Sequence, residues 1–248
     1  MKWPLLLHEC LDQTAARLPH KDFLICGTDH WTYQKTAEHV DALARGLIHH
    51  GLAPQDRISV FLDTSPETVV SLYAVSQAGG IFVNLNSSLK AEKLRYILQN
   101  SDSKILITHI SKARIVRQAL QEMAAPPFLL WITPSAIIPE PLKAIGPCVS
   151  WTALVHEFFG QSRANHLPAI IDQDLAALIY TSGSTGRPKG IMQPHYKMLG
   201  VARSIIQYLD KNEDDVILNP LSLAFGYGLY QVVMAAMIGA TVILEKSF

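Results

Sequence analysis

The feature that most constrains the fold is a rhythm in the first half of the chain. Residues 58–62, 81–85, 105–108 and 128–132 are short, almost continuously apolar runs of strand length. Between them lie longer segments with helical spacing, at residues 66–78, 91–99 and 112–123. Strands that are apolar at nearly every position are covered on both faces, and alternation with helices favours parallel crossovers. The punctuation agrees. Ser65-Pro66-Glu67 offers a cap, a proline at the first helical position and an acid in the first turn. Gly79-Gly80 ends that helix. The expected class is α/β, with layered, mostly parallel sheets flanked by helices.

The flanks extend the pattern. Residues 5–18 read as a helix stopped by Pro19, and 23–26 as a strand turning at Gly27-Thr28-Asp29. Thr32 can cap a helix whose apolar face is Ala37, Val40, Leu43, Ala44, Leu47 and Ile48. His49 and His50 close its last turn, where positive charge suits the helix end. Residues 133–147 carry four prolines and read as an irregular crossing. A helix capped by Ser150, a polar linker at 161–167 and a buried strand at 175–180 follow. A second short run at 191–193, a helix at 196–209, a strand at 216–219, a helix at 228–238 and a strand at 241–244 complete the chain.

The formal net charge is zero, so there is no electrostatic case for nucleic acid. Cys10, Cys26 and Cys148 are too widely spaced for a zinc motif or a disulfide framework, and free thiols suit a reducing cytoplasm. The longest apolar run, 232–244, is broken by Gly239 and Thr241. It falls short of the roughly 20 residues of a membrane span.

One stretch concentrates chemistry: Thr181-Ser182-Gly183-Ser184-Thr185-Gly186-Arg187-Pro188-Lys189-Gly190. Glycines and a proline exclude a regular helix. Small residues let backbone N–H groups approach phosphate oxygens, hydroxyls add directed donors, and Lys189 supplies a point charge. The common nucleotide loop places four residues between its glycines before Gly-Lys-Ser/Thr. Here two residues separate Gly183 from Gly186, so that loop is not the match.

The ten residues closely resemble the phosphate-loop signature of the AMP-forming acid–thiol ligases, the superfamily of acyl-CoA synthetases and peptide-synthetase adenylation domains. Trp31-Thr32-Tyr33, Ser65-Pro66-Glu67 and Ala78-Gly79-Gly80 before Asn84-Leu85-Asn86 are similar to further family segments, in the same order. Asn86-Ser87-Ser88-Leu89-Lys90 resembles the acyl-CoA ligases linked to exosortase export systems. The resemblance implies two steps: a carboxylic acid and ATP give acyl-AMP, and the thiol of CoA or of a carrier protein's pantetheine then displaces AMP. It implies Mg2+ on the phosphates. It also implies phosphate contacts from Thr181, Ser182, Gly183, Ser184, Thr185, Gly186 and Lys189. Arg187 reads as a solvated charge, and His195 as a helix-start residue packing beneath the loop rather than a base.

The second candidate site is the turn from Asn219 to Leu229. In the family an aromatic-glycine turn lines the acid pocket, often with a histidine that this turn lacks. Counting from either end puts Phe225 or Leu223 at that position. Phe225, Tyr227 and Gly228 are the candidate substrate contacts, and Phe225 and Tyr227 read equally as core aromatics. An apolar acyl or aryl acid is the expected substrate, with an acyl carrier protein as a further partner.

By the same resemblance, residues 1–57 begin one subdomain, 58–209 form a second that carries the loop, and 210–248 resume the first. The family's later segments, which hold adenine, ribose and the adenylation lysine, have no counterpart here. The chain is therefore expected to be the N-terminal half of a ligase, inactive alone. The rival readings are a non-catalytic nucleotide- or acyl-binding short form, and a structural protein with a relic loop.

Overall fold

The computed structural model describes residues 3–161, 167–181 and 187–245. Two sheets organise them. The larger has seven strands in the order β7-β6-β5-β3-β4-β8-β9. Its members are β3 (Arg57–Phe61), β4 (Ile81–Asn84), β5 (Ser103–His109), β6 (Phe128–Ile132), β7 (Cys148–Ser150), β8 (Leu175–Thr181) and β9 (Lys189–Pro194). All neighbours are parallel except β8 and β9. The smaller sheet runs β10-β11-β1-β2. It joins β1 (Asp22–Cys26) and β2 (Asp29–Thr32) to β10 (Val216–Asn219) and β11 (Thr241–Leu244), so the beginning and end of the chain share one sheet. The α/β class with mostly parallel, helix-flanked sheets is as expected.

The apolar strands are buried on both faces, which is why they carry no polar alternation. Ile58, Val60, Phe82, Ile105, Ile107 and Leu130 face one core, shared with α2 (Tyr33–His49) and α3 (Pro66–Gln77). Phe61, Val83, Leu106, Leu129 and Trp131 face the other, under α4 (Ala91–Asn100) and α5 (Ala113–Leu120). The period of two along each strand sends successive side chains to opposite layers.

α3 is buried on nearly every side, lying among α1 (Leu7–Arg17), α2 and the sheet. Its start is the one expected: the Ser65 hydroxyl accepts from the Thr68 N–H, with Pro66 first in the helix. Thr32 and Ser150 cap α2 and α7 (Trp151–Phe158) in the same way. Gly79 ends the turn after α3 at φ 75°, and a Cβ there would sit 2.7 Å from the Pro168 ring. A residue with a side chain would be both strained and obstructed.

Several elements differ from expectation. β2 and β7 are additional strands, and the proline-rich crossing contains a one-turn helix, α6 (Glu140–Lys143). The segment expected to be helical over 112–123 is a 3-10 turn, Ile110–Lys112, followed by the shorter α5. β8 is not buried throughout; only Ala176 and Ala177 are. β9 turns back antiparallel to β8 and lies at the sheet's edge, with Ile191 and Met192 exposed. After α8 (His195–Tyr208), α9 (Gly226–Ile238) starts two residues earlier than its apolar pattern suggests.

Candidate functional site

The strands β8 and β9 form a hairpin whose last paired positions are Thr181 and Lys189. The hydroxyl and the amine therefore flank the two ends of the connecting segment. Ser182, Gly183, Ser184, Thr185 and Gly186 lie outside the described residues. Arg187 is exposed, but its guanidinium lies over the Tyr96 ring of α4 at 5.9 Å, so it is not simply a solvated charge. One strand residue back, the Tyr180 hydroxyl donates to Asn100 Oδ1 at 2.6 Å. Burial pushes that phenol's pKa up, and the neighbouring Tyr96 adds to it. Gly190 makes the crossing possible: a Cβ there would meet the Tyr180 ring at 3.1 Å.

Beside the hairpin is a cleft of about 170 Å³. Thr181 and Pro188 line it from the hairpin, Leu85 from the end of β4, Lys93 and Ile97 from α4, and Phe225 from the turn before α9. The lining contains no carboxylate. Asn84 also contributes, and its amide nitrogen is buried with no hydrogen-bond partner among the described residues. Strand ends and a helix flank thus bring together residues more than a hundred positions apart. Nothing local marks Lys93 for this place; for Asn84 the Asn84-Leu85-Asn86 motif was the available signal.

Phe225 is positioned by the turn preceding α9. Asn219, fully buried at the end of β10, donates from Nδ2 to the Gly228 carbonyl at 2.9 Å and accepts from the Leu221 N–H at 3.1 Å. Ser222 accepts from the Ala224 N–H through Oγ and from the Phe225 N–H through its carbonyl. Gly228 fits because it lacks a side chain; a Cβ would lie 2.5 Å from the Ser222 carbonyl oxygen. Of the two counts through this turn, the cleft takes Phe225, while Leu223 is in the core. Tyr227 is 75% exposed, and neither it nor Gly228 lines the cleft. Gly228 shapes the turn instead.

His195, first residue of α8, is buried, and its Nδ1 accepts the Leu7 N–H at 3.0 Å. Burial, and then the neighbouring His8, push its pKa down to about 4 against Asp174, Glu9 and Asp172. The ring is a neutral acceptor tying the exit of the hairpin to the start of α1, not a base at the cleft.

Residues 11–248 match the family model described as AMP-binding enzyme. The chain belongs to that family. It is 28% identical over 240 residues to tyrocidine synthase 3 of Brevibacillus parabrevis, covering 97% of this chain and 3% of the synthase. VinN, solved with 3-methylaspartate, superposes with a TM-score of 0.80 at 26% identity, over 98% of this chain and 62% of VinN. The N-terminal domain of FACL13 from Mycobacterium tuberculosis, solved with an inhibitor, has the same fold, with a TM-score of 0.81 at 24% identity over 98% of this chain and 57% of that one. The chain thus spans less than two thirds of the length of these relatives. Among the described residues no three His, Cys, Asp or Glu side chains converge to hold a metal ion. No helix among the described residues is long and apolar enough to cross a membrane.

Proposed function

We propose that this chain is the N-terminal part of an ATP-dependent, AMP-forming acid–thiol ligase, with the phosphates held at the hairpin and the acid in the adjoining cleft. The observation that carries this reading is the pairing of Thr181 with Lys189 at the feet of the hydroxyl-glycine segment, beside the cleft that Thr181 and Phe225 both line. In the first step a carboxylate oxygen of the acid bonds to the α-phosphorus and pyrophosphate leaves. The thiol of CoA or of a carrier protein's pantetheine then attacks the acyl carbon, and AMP leaves. Thr181, Ser182, Gly183, Ser184, Thr185, Gly186 and Lys189 are assigned to the phosphates, where donors aimed at developing charge contribute most. Mg2+ enters with ATP as counter-ion to the phosphates.

Leu85, Ile97 and Phe225 give the cleft an apolar wall, which favours an apolar acyl or aryl acid. Asn86 and Leu89, from the stretch resembling export-linked acyl-CoA ligases, line the same wall. In this reading residues 1–57 and 210–248 belong to one subdomain and 58–209 to another, and the protein works in the cytoplasm. The test is pyrophosphate exchange into ATP by the protein that carries this chain, with a panel of acids. Acid-dependent exchange that collapses in Lys189→Ala supports the assignment; exchange unchanged in that variant rejects it.

A further inference from the structure

The connections that leave β3 and β5, neighbours in the larger sheet, run in opposite directions. The chain leaves β3 through α3 to reach β4 on one side, then crosses back through α4 to place β5 on the other side. α3 and α5 consequently lie on opposite faces, and the carboxyl ends of β3 and β5 open a crevice between them. In open α/β sheets that crevice is where ligands bind. The hairpin and its cleft lie elsewhere, at β4, β8 and β9, so the proposed ligase site leaves this place unused.

A cavity of about 240 Å³ lies in the crevice. Leu62, Asp63, Thr64 and Ser65 line it from the β3–α3 connection, Glu67 from the first turn of α3, His109 from the end of β5 and Ile132 from the end of β6. Its lining carries two carboxylates, two hydroxyls and an imidazole, and no lysine or arginine. Asp63 is paired with the Lys112 ammonium at 2.8 Å. The carboxylate of Glu67 and the hydroxyl of Thr64 have no hydrogen bond or ion pair among the described residues. His109 Nδ1 accepts the Ser111 N–H at 3.1 Å, which puts the proton of the neutral ring on Nε2 as a donor. Glu67 stands in the first turn of α3, whose N-terminus adds partial positive charge at the same end of the cavity.

We propose that this cavity is a second binding site, for a neutral, hydroxyl-bearing ligand of about one sugar ring. A free anion would meet Glu67 beside the Asp63 carboxylate. A cation would find the Asp63 carboxylate already paired with Lys112, and would meet the positive end of α3. Hydroxyl groups satisfy both kinds of partner, donating to Glu67 and accepting from His109 Nε2. Leu62 and Ile132 offer apolar contact for the C–H face of a ring.

The experiment follows the histidine ring protons by NMR while D-ribose, inorganic phosphate and methylammonium are titrated separately. The His109 signals are assigned by their loss in His109→Gln. Ribose should shift them saturably, in the millimolar range expected for so small a ligand. Glu67→Gln, a near-isosteric change, should weaken ribose about tenfold by removing the charged acceptor. Glu92→Gln, on α4 outside the cavity, should leave it unchanged. No saturable shift with ribose, tighter binding of phosphate or methylammonium, or equal ribose affinity in Glu67→Gln would each overturn the proposal.

Discussion

The centre of the larger sheet and the hairpin at its edge are made from the same kind of strand and used in opposite ways. In β3 and β4 all but Arg57 are buried, and their apolar side chains are shared between two cores. In β8 burial is confined to Ala176 and Ala177, and no β9 residue is fully buried. The two regions meet at one paired position, Phe82 with Ala177. The centre supplies rigidity at the cost of access. The hairpin gives up packing, exposes Lys189, and is held instead by tethers: Tyr180 to Asn100, Arg187 over Tyr96, and His195 to Leu7. Substitutions in the centre should therefore be felt as stability, and those at the hairpin as chemistry.

The largest effect should come from Phe82→Ala. It empties a fully buried ring where the two regions join, a change that costs about 3–5 kcal/mol. Denaturant unfolding should show it, while the ranking of acids by the surviving folded protein stays the same. A changed ranking with intact stability would erase the distinction. Next, Lys189→Ala should slow acyl-AMP formation roughly a hundredfold. Its exposed position should keep the stability change within about 0.5 kcal/mol. A large loss of stability would make Lys189 structural and blur the two regions.

The tether at His195 sharpens the comparison through pH. Its folded pKa of about 4 lies below the ordinary 6.5. Above pH 6.5 the ring is neutral whether folded or unfolded, and contributes no slope. As pH falls towards 4 the unfolded chain takes up the proton first, so stability declines across that window by roughly 3 kcal/mol in total. His195→Asn keeps an acceptor near Nδ1 and removes the titration. Its stability should decline less between pH 6.5 and 4; an identical acid limb in both proteins would dismiss this account. A smaller effect, about tenfold in kcat/KM for an apolar acid with little change in stability, is expected of Phe225→Ala. Unaltered acid preference would remove Phe225 from the acid wall.

The contrast also explains what was legible in the sequence. β3 to β6 could be read directly, because double-sided burial writes itself as unbroken apolar runs. β2, with Asp29 and His30 exposed, and the three-residue β7 carry no such mark; they are strands because β1 and β6 offer them partners. The antiparallel return of β9 was hidden for the same reason, since an exposed edge strand needs no apolar alternation. At the candidate site Phe225 was singled out, with Leu223 as the alternative, by the family resemblance and by counting through the turn. Tyr227 parts from it because α9 already begins at Gly226, and successive helical residues point about 100° apart. Lys93 reaches the cleft only through tertiary packing, which no local pattern encodes, whereas Asn84 stands in the Asn84-Leu85-Asn86 segment quoted for the family resemblance.

The smallest expected effect tests whether the tethers of the hairpin act individually. Arg187 is exposed, and its guanidinium lies 5.9 Å from the Tyr96 ring centre. A cation–π contact at such a site contributes about 0.5–1 kcal/mol. The single substitutions Arg187→Ala and Tyr96→Leu each remove other contacts as well, so neither isolates the pair. The double-mutant cycle does: a coupling of about 0.5 kcal/mol should remain after the two single effects are subtracted. Screening by salt should reduce it only modestly, since the ring carries no net charge. If the coupling is zero, Arg187 is free in solution and the hairpin is held by Tyr180 and His195 alone. In that case Arg187→Ala should also leave the Lys189-dependent rate untouched, whereas a working tether should lower that rate severalfold through misplacement of the loop.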